Sequence, residues 1–196
     1  MALPQYPIMS VEDYLILDRS SREARYEYLD GELRMLAGGS TYHSRIIANL
    51  TIAIGRSLEN NPCNIYNSDI RLQLSESRYV YPDLTVSCDQ RDQELDDMIR
   101  YPRLIVEVLS PSTEAIDRGK KFLYYRECPT VEEYVMVDSQ SILIEVYHRQ
   151  GDVWKLHTFG SESIVTLESL NIQFPIDLIY RGMKLSGSQN NKNRKS

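Results

Sequence analysis

Nowhere does the sequence carry an apolar run approaching the ~18 residues that mark a membrane-spanning helix. A membrane partner is therefore not expected. No basic segment followed by an apolar one opens the chain; prolines and early acids stand there instead, so no secretory leader is expected and a cytoplasmic location is. Cysteine is scarce. Cys63, Cys88 and Cys128 make an odd count without CxxC spacing, and three reduced thiols are expected. His43, His148 and His157 are the only histidines and lie far apart, which argues against a histidine-rich zinc site. A glycine-rich phosphate loop and a serine nucleophile elbow are both missing. Positive charge is also in deficit, with 22 Lys and Arg against 28 Asp and Glu. A net charge of −6 argues against tight, salt-driven, non-specific DNA binding, although the local field matters more than the sum.

What is present suits one domain with a sizeable core. At 196 residues and 42% hydrophobic content the chain is far from disorder. Residues 1–185 are expected as a single domain. Residues 186–196, rich in Ser, Asn and Lys, are expected as a disordered basic tail whose Lys192, Arg194 and Lys195 are more a solubilising feature than a phosphate contact. Ser10 with Asp13 reads as a capping box opening a short helix that ends near Leu17. Asp30-Gly31 between alternating runs reads as a hairpin turn. Ile46, Ile47, Leu50, Ile54 and Leu58 recur at helical spacing until Asn60-Asn61-Pro62. Strands are expected over Asn64 to Leu74, Tyr79 to Cys88 and Arg103 to Leu109. Between the last two, Asp89 to Arg100 reads as an exposed acidic loop with at most a helical turn. A helix capped by the hydroxyls of Ser110, Ser112 and Thr113 is expected to run to about Arg126. Strands follow over Glu133 to Asp138, Ile142 to His148, Val153 to Phe159 and Ile164 to Leu167. The order points to an α/β (α+β mixed) domain, with a helix packed on each side of a central mixed β-sheet.

Two acids stand where strands should not want them. Asp83 heads a β-branched run after Pro82, and Glu107 sits inside Leu104-Ile105-Val106-Glu107-Val108-Leu109. Apolar residues on both sides of Glu107 imply a strand covered on both faces. A bare carboxylate there costs several kcal/mol or takes up a proton. If the two strands pair, the acids face one another about 5 Å apart and need a cation between them or a proton on one. Asp117, Lys121 and Tyr125 share one helix face at i, i+4, i+8, so Lys121 can aim at the acids. The residue types leave two readings open. One is a Mg²⁺ site with carboxylate ligands and an assisting lysine, as phosphodiester hydrolysis requires. The other is a structural salt bridge between Glu107 and Lys121, with Asp83 capping a strand start.

A longer pattern bears on the choice. It comprises Tyr28-Leu29-Asp30-Gly31-Glu32-Leu33, His43, Ser68-Asp69-Ile70-Arg71, Tyr81-Pro82-Asp83, Glu107 to Thr113, Asp117 to Phe122 and Glu133-Tyr134. This set resembles the Uma2 family of restriction-endonuclease-like proteins, within the PD-(D/E)xK nuclease superfamily. The resemblance implies a restriction endonuclease-like core and a metal-dependent DNA endonuclease. Mg²⁺ (or Mn²⁺) would be held by Asp83, Glu107 and the backbone carbonyl of Val108, with Lys121 as the catalytic lysine. It also carries a departure, because the superfamily places its lysine two residues after the second acid, where this chain has Leu109. Glu32 is taken as a further metal ligand, with Glu27 and Asp69 as rivals for that place. His43, Arg71, Arg118, Lys120 and Tyr125 are taken as substrate contacts. DNA is the expected partner, and a homodimer is expected because cutting both strands takes two sites. The alternative is a catalytically inactive nucleic-acid- or protein-binding module on the same fold.

Overall fold

The computed structural model describes residues 9–21, 23–36, 38–59 and 61–185 of the chain. The tail expected over residues 186–196 lies outside them.

In chain order, α1 (Val11–Ser20) leads to a hairpin of β1 (Tyr26–Leu29) and β2 (Glu32–Met35), then to α2 (Thr41–Ser57). Next come β3 (Asn64–Asn67), β4 (Arg71–Ser75), β5 (Arg78–Val80) and β6 (Leu84–Ser87). A one-turn helix α3 (Gln90–Gln93) and the two-residue β7 (Met98–Ile99) precede the central β8 (Leu104–Leu109). The helical segment after it begins as α4 (Glu114–Ile116), widens into a π-helical turn at Asp117–Lys121, and ends as α5 (Phe122–Glu127). Strands β9 (Glu133–Asp138), β10 (Ile144–Gln150) and β11 (Val153–Phe159) follow, then β12 (Ile164–Leu167) and β13 (Ile172–Pro175).

The caps match the local chemistry. Ser10 accepts from the Asp13 amide at the start of α1, and Ser40 accepts from the His43 amide at the start of α2. Asp30 and Gly31 both take positive φ (55° and 96°), as a two-residue hairpin turn of this hand requires.

The strands form two main sheets where one central sheet was expected. One has the order β11-β10-β9-β8-β6-β3 and the other β2-β1-β5-β4-β7, while β12 and β13 pair separately. The run from Arg78 to Ser87 is divided because Pro82 has no N–H to give a ladder. Its β5 half lies in the five-stranded sheet and its β6 half in the six-stranded one, so Tyr81-Pro82-Asp83 is a crossing point. The run from Asn64 to Ser75 crosses likewise between β3 and β4.

Three cores result. Side chains of β6, β8 and β9 on one face meet α2 through Ile46, Leu50 and Ile54. The opposite face of β8 and β9 packs with α5 and with Leu29, Leu72, Val80 and Ile99 of the second sheet. Tyr14 of α1 covers the far side of that second sheet, against Tyr28 and Tyr79. Strand β8 is thus apolar on both faces, as its sequence implied.

Several local expectations change. Helix α1 continues to Ser20 rather than stopping near Leu17. The acidic segment 89–100 is not simply exposed: Asp92 is buried and accepts hydrogen bonds from Ser87, Arg100 and Tyr101, closing the segment into α3 and β7. The hydroxyls of 110–113 do not cap α4; Ser110 instead bonds the hydroxyls of Ser112 and Thr113. Strand β13, which the sequence reading missed, ends on Pro175 and completes a hairpin with β12.

The thiol expectation is corrected too. β3 and β6 pair antiparallel with Asn64 opposite Ser87, so Cys63 and Cys88 are the next facing pair. Their Cα atoms lie 3.9 Å apart and their sulfurs are bonded, leaving Cys128 as the free, buried thiol. Thiol titration of the unreduced, denatured protein should therefore count one reactive group, not three. Reduction should lower stability in urea by about 3 kcal/mol, the entropy of opening a loop of this size in the unfolded chain.

Candidate active site

The register that aligns β6 with β8 builds the centre of the site. Leu84 faces Val106, and one step further Asp83 comes opposite Glu107 at the point where the chain crosses between sheets. Facing residues of an antiparallel pair point to the same side. Here that side is where α5 lies, because Ile105 and Leu109, which flank Glu107 on its face, pack there.

The helical segment brings Lys121 onto the same face. A π turn within an α-helix re-aims side chains and is frequent at functional sites. This one buries Asp117 and Lys121 together, and Tyr125 one turn on. The Lys121 ammonium lies 2.7 Å from Glu27 Oε1, 2.9 Å from Glu107 Oε1 and 3.5 Å from Asp117 Oδ1. The Tyr125 hydroxyl donates to the same Glu107 oxygen at 2.7 Å. Glu27 arrives from β1, where it also accepts from the Tyr81 amide at 3.3 Å. Its second oxygen, Oε2, is buried and has no hydrogen-bond partner.

Asp83 forms the outer half. Its Oδ2 accepts from the Val108 amide at 2.7 Å and lies 3.2 Å from His43 Nε2. His43 reaches it from the first turn of α2. That hydrogen bond is the largest influence on the imidazole; burial opposes it, but the Asp83 charge and the Val108 backbone help keep the pKa raised.

Electrostatics at this point are unbalanced. Lys121 and Glu107 are each only 4% exposed, and three carboxyls surround one ammonium. Burial pushes the Glu107 carboxyl up to about 8, against the pull of Lys121 and with the repulsion of Asp117, Asp83 and Glu27. Burial raises Asp117 likewise. For Lys121 burial works against the charge, yet Glu107, Glu27 and Asp117 outweigh it and its pKa is raised.

These groups open onto one cavity of about 820 Å³. Asp83, Glu107, Val108, Lys121, Asp117, Glu27 and His43 all line it. The other sequence-selected residues lie elsewhere. Glu32 sits opposite Leu29 rather than Glu27, with a side chain 79% exposed that pairs with Lys120 at 2.6 Å. Arg71 is buried in ion pairs with Asp18 and Asp97. Arg118 is held by Glu114 and Glu145, and Asp69 by Arg25. Tyr125 is fully buried beneath Glu107, away from the cavity wall. Glu27, one of three candidates in the sequence, is the early acid that joins the cluster. What selects it is the pairing of the hairpin: β1 buries Glu27 and Leu29 on the face that meets α5, which adjacent residues do not reveal.

The class is a mixed α/β protein with helices on either side of its sheets and acids at a strand crossing. A crystal structure from Anabaena variabilis, described as a "putative nuclease belonging to DUF820", superposes with a TM-score of 0.73 over 88% of this chain and 97% of that one. At 16% identity that likeness speaks to the fold alone. The chain belongs to the Uma2 family, whose model, described as "Putative restriction endonuclease", matches residues 11–178. Two relatives from Synechocystis sp. are the uncharacterized proteins slr1290 and sll1609. The first is 39% identical, covering 91% of this chain and 94% of its own; the second is 32% identical, covering 78% and 87%.

Two outcomes test the charge cluster. Replacing Lys121 with Met strands three buried carboxyls and should cost about 3–5 kcal/mol in urea denaturation at pH 7. The pH dependence has a definite sign. The unfolded chain releases the Glu107 proton near 4.5 and the folded one near 8, so the unfolded state binds fewer protons between those values. Stability contributed by this group is complete below pH 4.5 and is lost as pH rises to 8. Wild type should lose stability relative to Glu107→Gln across that window; parallel profiles would contradict a protonated Glu107.

Proposed function

We propose that the chain is a metal-dependent DNA endonuclease that hydrolyses phosphodiester bonds, with Asp83, Glu107 and Lys121 at its centre. The observation that carries this is the surplus of buried negative charge around Lys121, at the floor of a cavity. A surplus of that kind is met either by protons or by a cation.

The donor set fits a hard divalent ion. Carboxylate oxygens of Asp83 and Glu107 line the cavity, and one buried oxygen of Glu27 lacks a partner. Mg²⁺ is typically held by one or two carboxylates and the substrate phosphate, with water filling the remainder. Asp83, Glu107 and the Val108 carbonyl would hold it, and when bound it would polarise the phosphate and make its water a stronger nucleophile. Lys121 supplies a fixed positive charge beside the developing phosphorane charge without reorganising. Tyr125 and Asp117 position that lysine and its Glu107 partner. The Val108 amide and His43 fix Asp83 in the orientation that faces the cavity.

A second reading is favoured by one observation. Among the described residues no three His, Cys, Asp or Glu groups converge at metal-binding spacing. The cluster would then be a structural ion-pair network in a binding module that does not cleave. Homodimerisation belongs with the nuclease reading, since two sites cut two strands.

Incubation of supercoiled DNA with the full chain and Mg²⁺ or Mn²⁺ separates the readings. Nicking by wild type, lost by 100-fold or more in Asp83→Ala, on the order expected when a group acting on the transition state is removed, supports the enzyme. Equal rates in both, or no metal uptake at millimolar concentration by calorimetry, would sink it.

A further inference from the structure

The shape of the cavity and the chemistry of its mouth bear on what can reach the buried charges. Its volume is about 820 Å³, and Glu107 and Lys121, each only 4% exposed, lie at its floor. A phosphate meets them only by entering the cavity, and a stiff duplex does not bend its backbone inward as a flexible single strand does. A single strand can enter such a space.

The cavity is mixed in character. Among its apolar lining are Leu36 and Ile47, suited to the face of a base. Ser110, Ser112 and Thr113 also line it, the Ser110 hydroxyl bonded to the other two. The Arg34 guanidinium, on β2, donates to the Ser112 carbonyl at 3.5 Å.

Arg34 is unusual among the basic residues near the site. Arg25, Arg71, Arg118, Lys120 and Lys121 all pair with carboxylates. Among the described residues no carboxylate pairs with Arg34, and its hydrogen bond to Ser112 sits at the long limit for such a bond. Across the hairpin Arg34 stands directly opposite Glu27, so it projects from the same face as the charge cluster, on the exposed strand above it. A cation without an anion, at the mouth of a cavity whose floor holds the proposed chemistry, is placed to take a phosphate.

We propose that the cavity takes an unpaired nucleic-acid strand, with Arg34 on its phosphate backbone and bases against Leu36 and Ile47. This rests on the nuclease reading above and names its substrate class. The deficit of basic charge agrees with it, because a threaded strand is held by few phosphate contacts where a duplex-binding face needs many.

Binding and cleavage are measured separately on the full chain. Fluorescence anisotropy with labelled oligo-dT and with a duplex of the same length, in Ca²⁺ or EDTA, should show the unpaired strand bound roughly tenfold tighter or more, a gap of about 1.4 kcal/mol. Arg34→Ala should weaken strand binding and reduce the slope of log K against log salt by about 0.7, the value of one phosphate contact on a single strand. Arg34→Lys should keep that slope, which a merely structural role for the side chain would not require. Duplex bound as tightly as the strand, an unchanged salt slope in Arg34→Ala, or no retention of either DNA overturns the inference. Cleavage with Mn²⁺ of a flapped substrate and of its intact duplex distinguishes the two claims. Equal cutting of both leaves the nuclease and removes the strand preference. Preferential strand binding with no cutting of either keeps the cavity assignment and removes the nuclease.

Discussion

An ammonium group held by more carboxyls than it can neutralise is the constraint on which this structure turns. Lys121 is buried with Glu27, Glu107 and Asp117 around it, and each comes from a different part of the chain: a hairpin strand, the central strand and the preceding helical turn. Bringing them together requires the five-stranded sheet, the six-stranded sheet and the helical segment to converge. The apolar packing between the sheets supplies the energy of that convergence; the ion pairs decide its register. Burying ions is costly, and a well-packed apolar cluster would serve stability equally or better. The cost is understandable if the site needs a fixed positive charge and acids whose negative charge is not fully cancelled.

The crossing points of the chain explain why the acids stand where they do. Pro82 ends one sheet and Leu84 begins the other, so Asp83 is freed from the ladder while its neighbours remain fixed by it. Its carboxylate turns back onto the Val108 amide, beside the strand position of Glu107. A residue inside a regular strand could not bend so; one in a free loop would not be held. The two-sheet arrangement is thus a means of placing a carboxylate at a rigid edge.

Much of this was legible in the chain. The apolar flanks of Glu107 announced burial on both faces, and the i, i+4, i+8 spacing of Asp117, Lys121 and Tyr125 announced a shared face. The Asp30-Gly31 turn and the strands between Glu133 and Leu167 were plain for similar reasons: local turn chemistry and two-residue periodicity are written in adjacent residues. What escaped depends on pairs distant in sequence. The division into two sheets follows from which strands find one another. Glu27 could not be told from Glu32 without knowing that only one of them lies beneath the helix. The Cys63–Cys88 bond depends on the β3–β6 register, and the π turn on the fit of a helix against a sheet. Arg71 looked free for a ligand because its partners, Asp18 and Asp97, are 53 and 26 residues away.

The position two residues after Glu107 bears on how the buried charge is arranged. Glu107 and Leu109 share a face of β8, so a lysine at 109 would begin on the correct side of the strand. In this chain Leu109 instead joins the core between the sheets, with Tyr125, Tyr134 and Met136. The charge comes from above, on the helical turn that the same core supports. Its Nζ reaches the Glu107 carboxylate at hydrogen-bond distance. Approach from the helix adds contacts that a strand lysine would not acquire from its own element: Asp117 lies one turn before Lys121, and Tyr125 one turn after it holds the same Glu107 oxygen. Leu109 therefore extends the apolar core beneath the site, while the helix carries the cation.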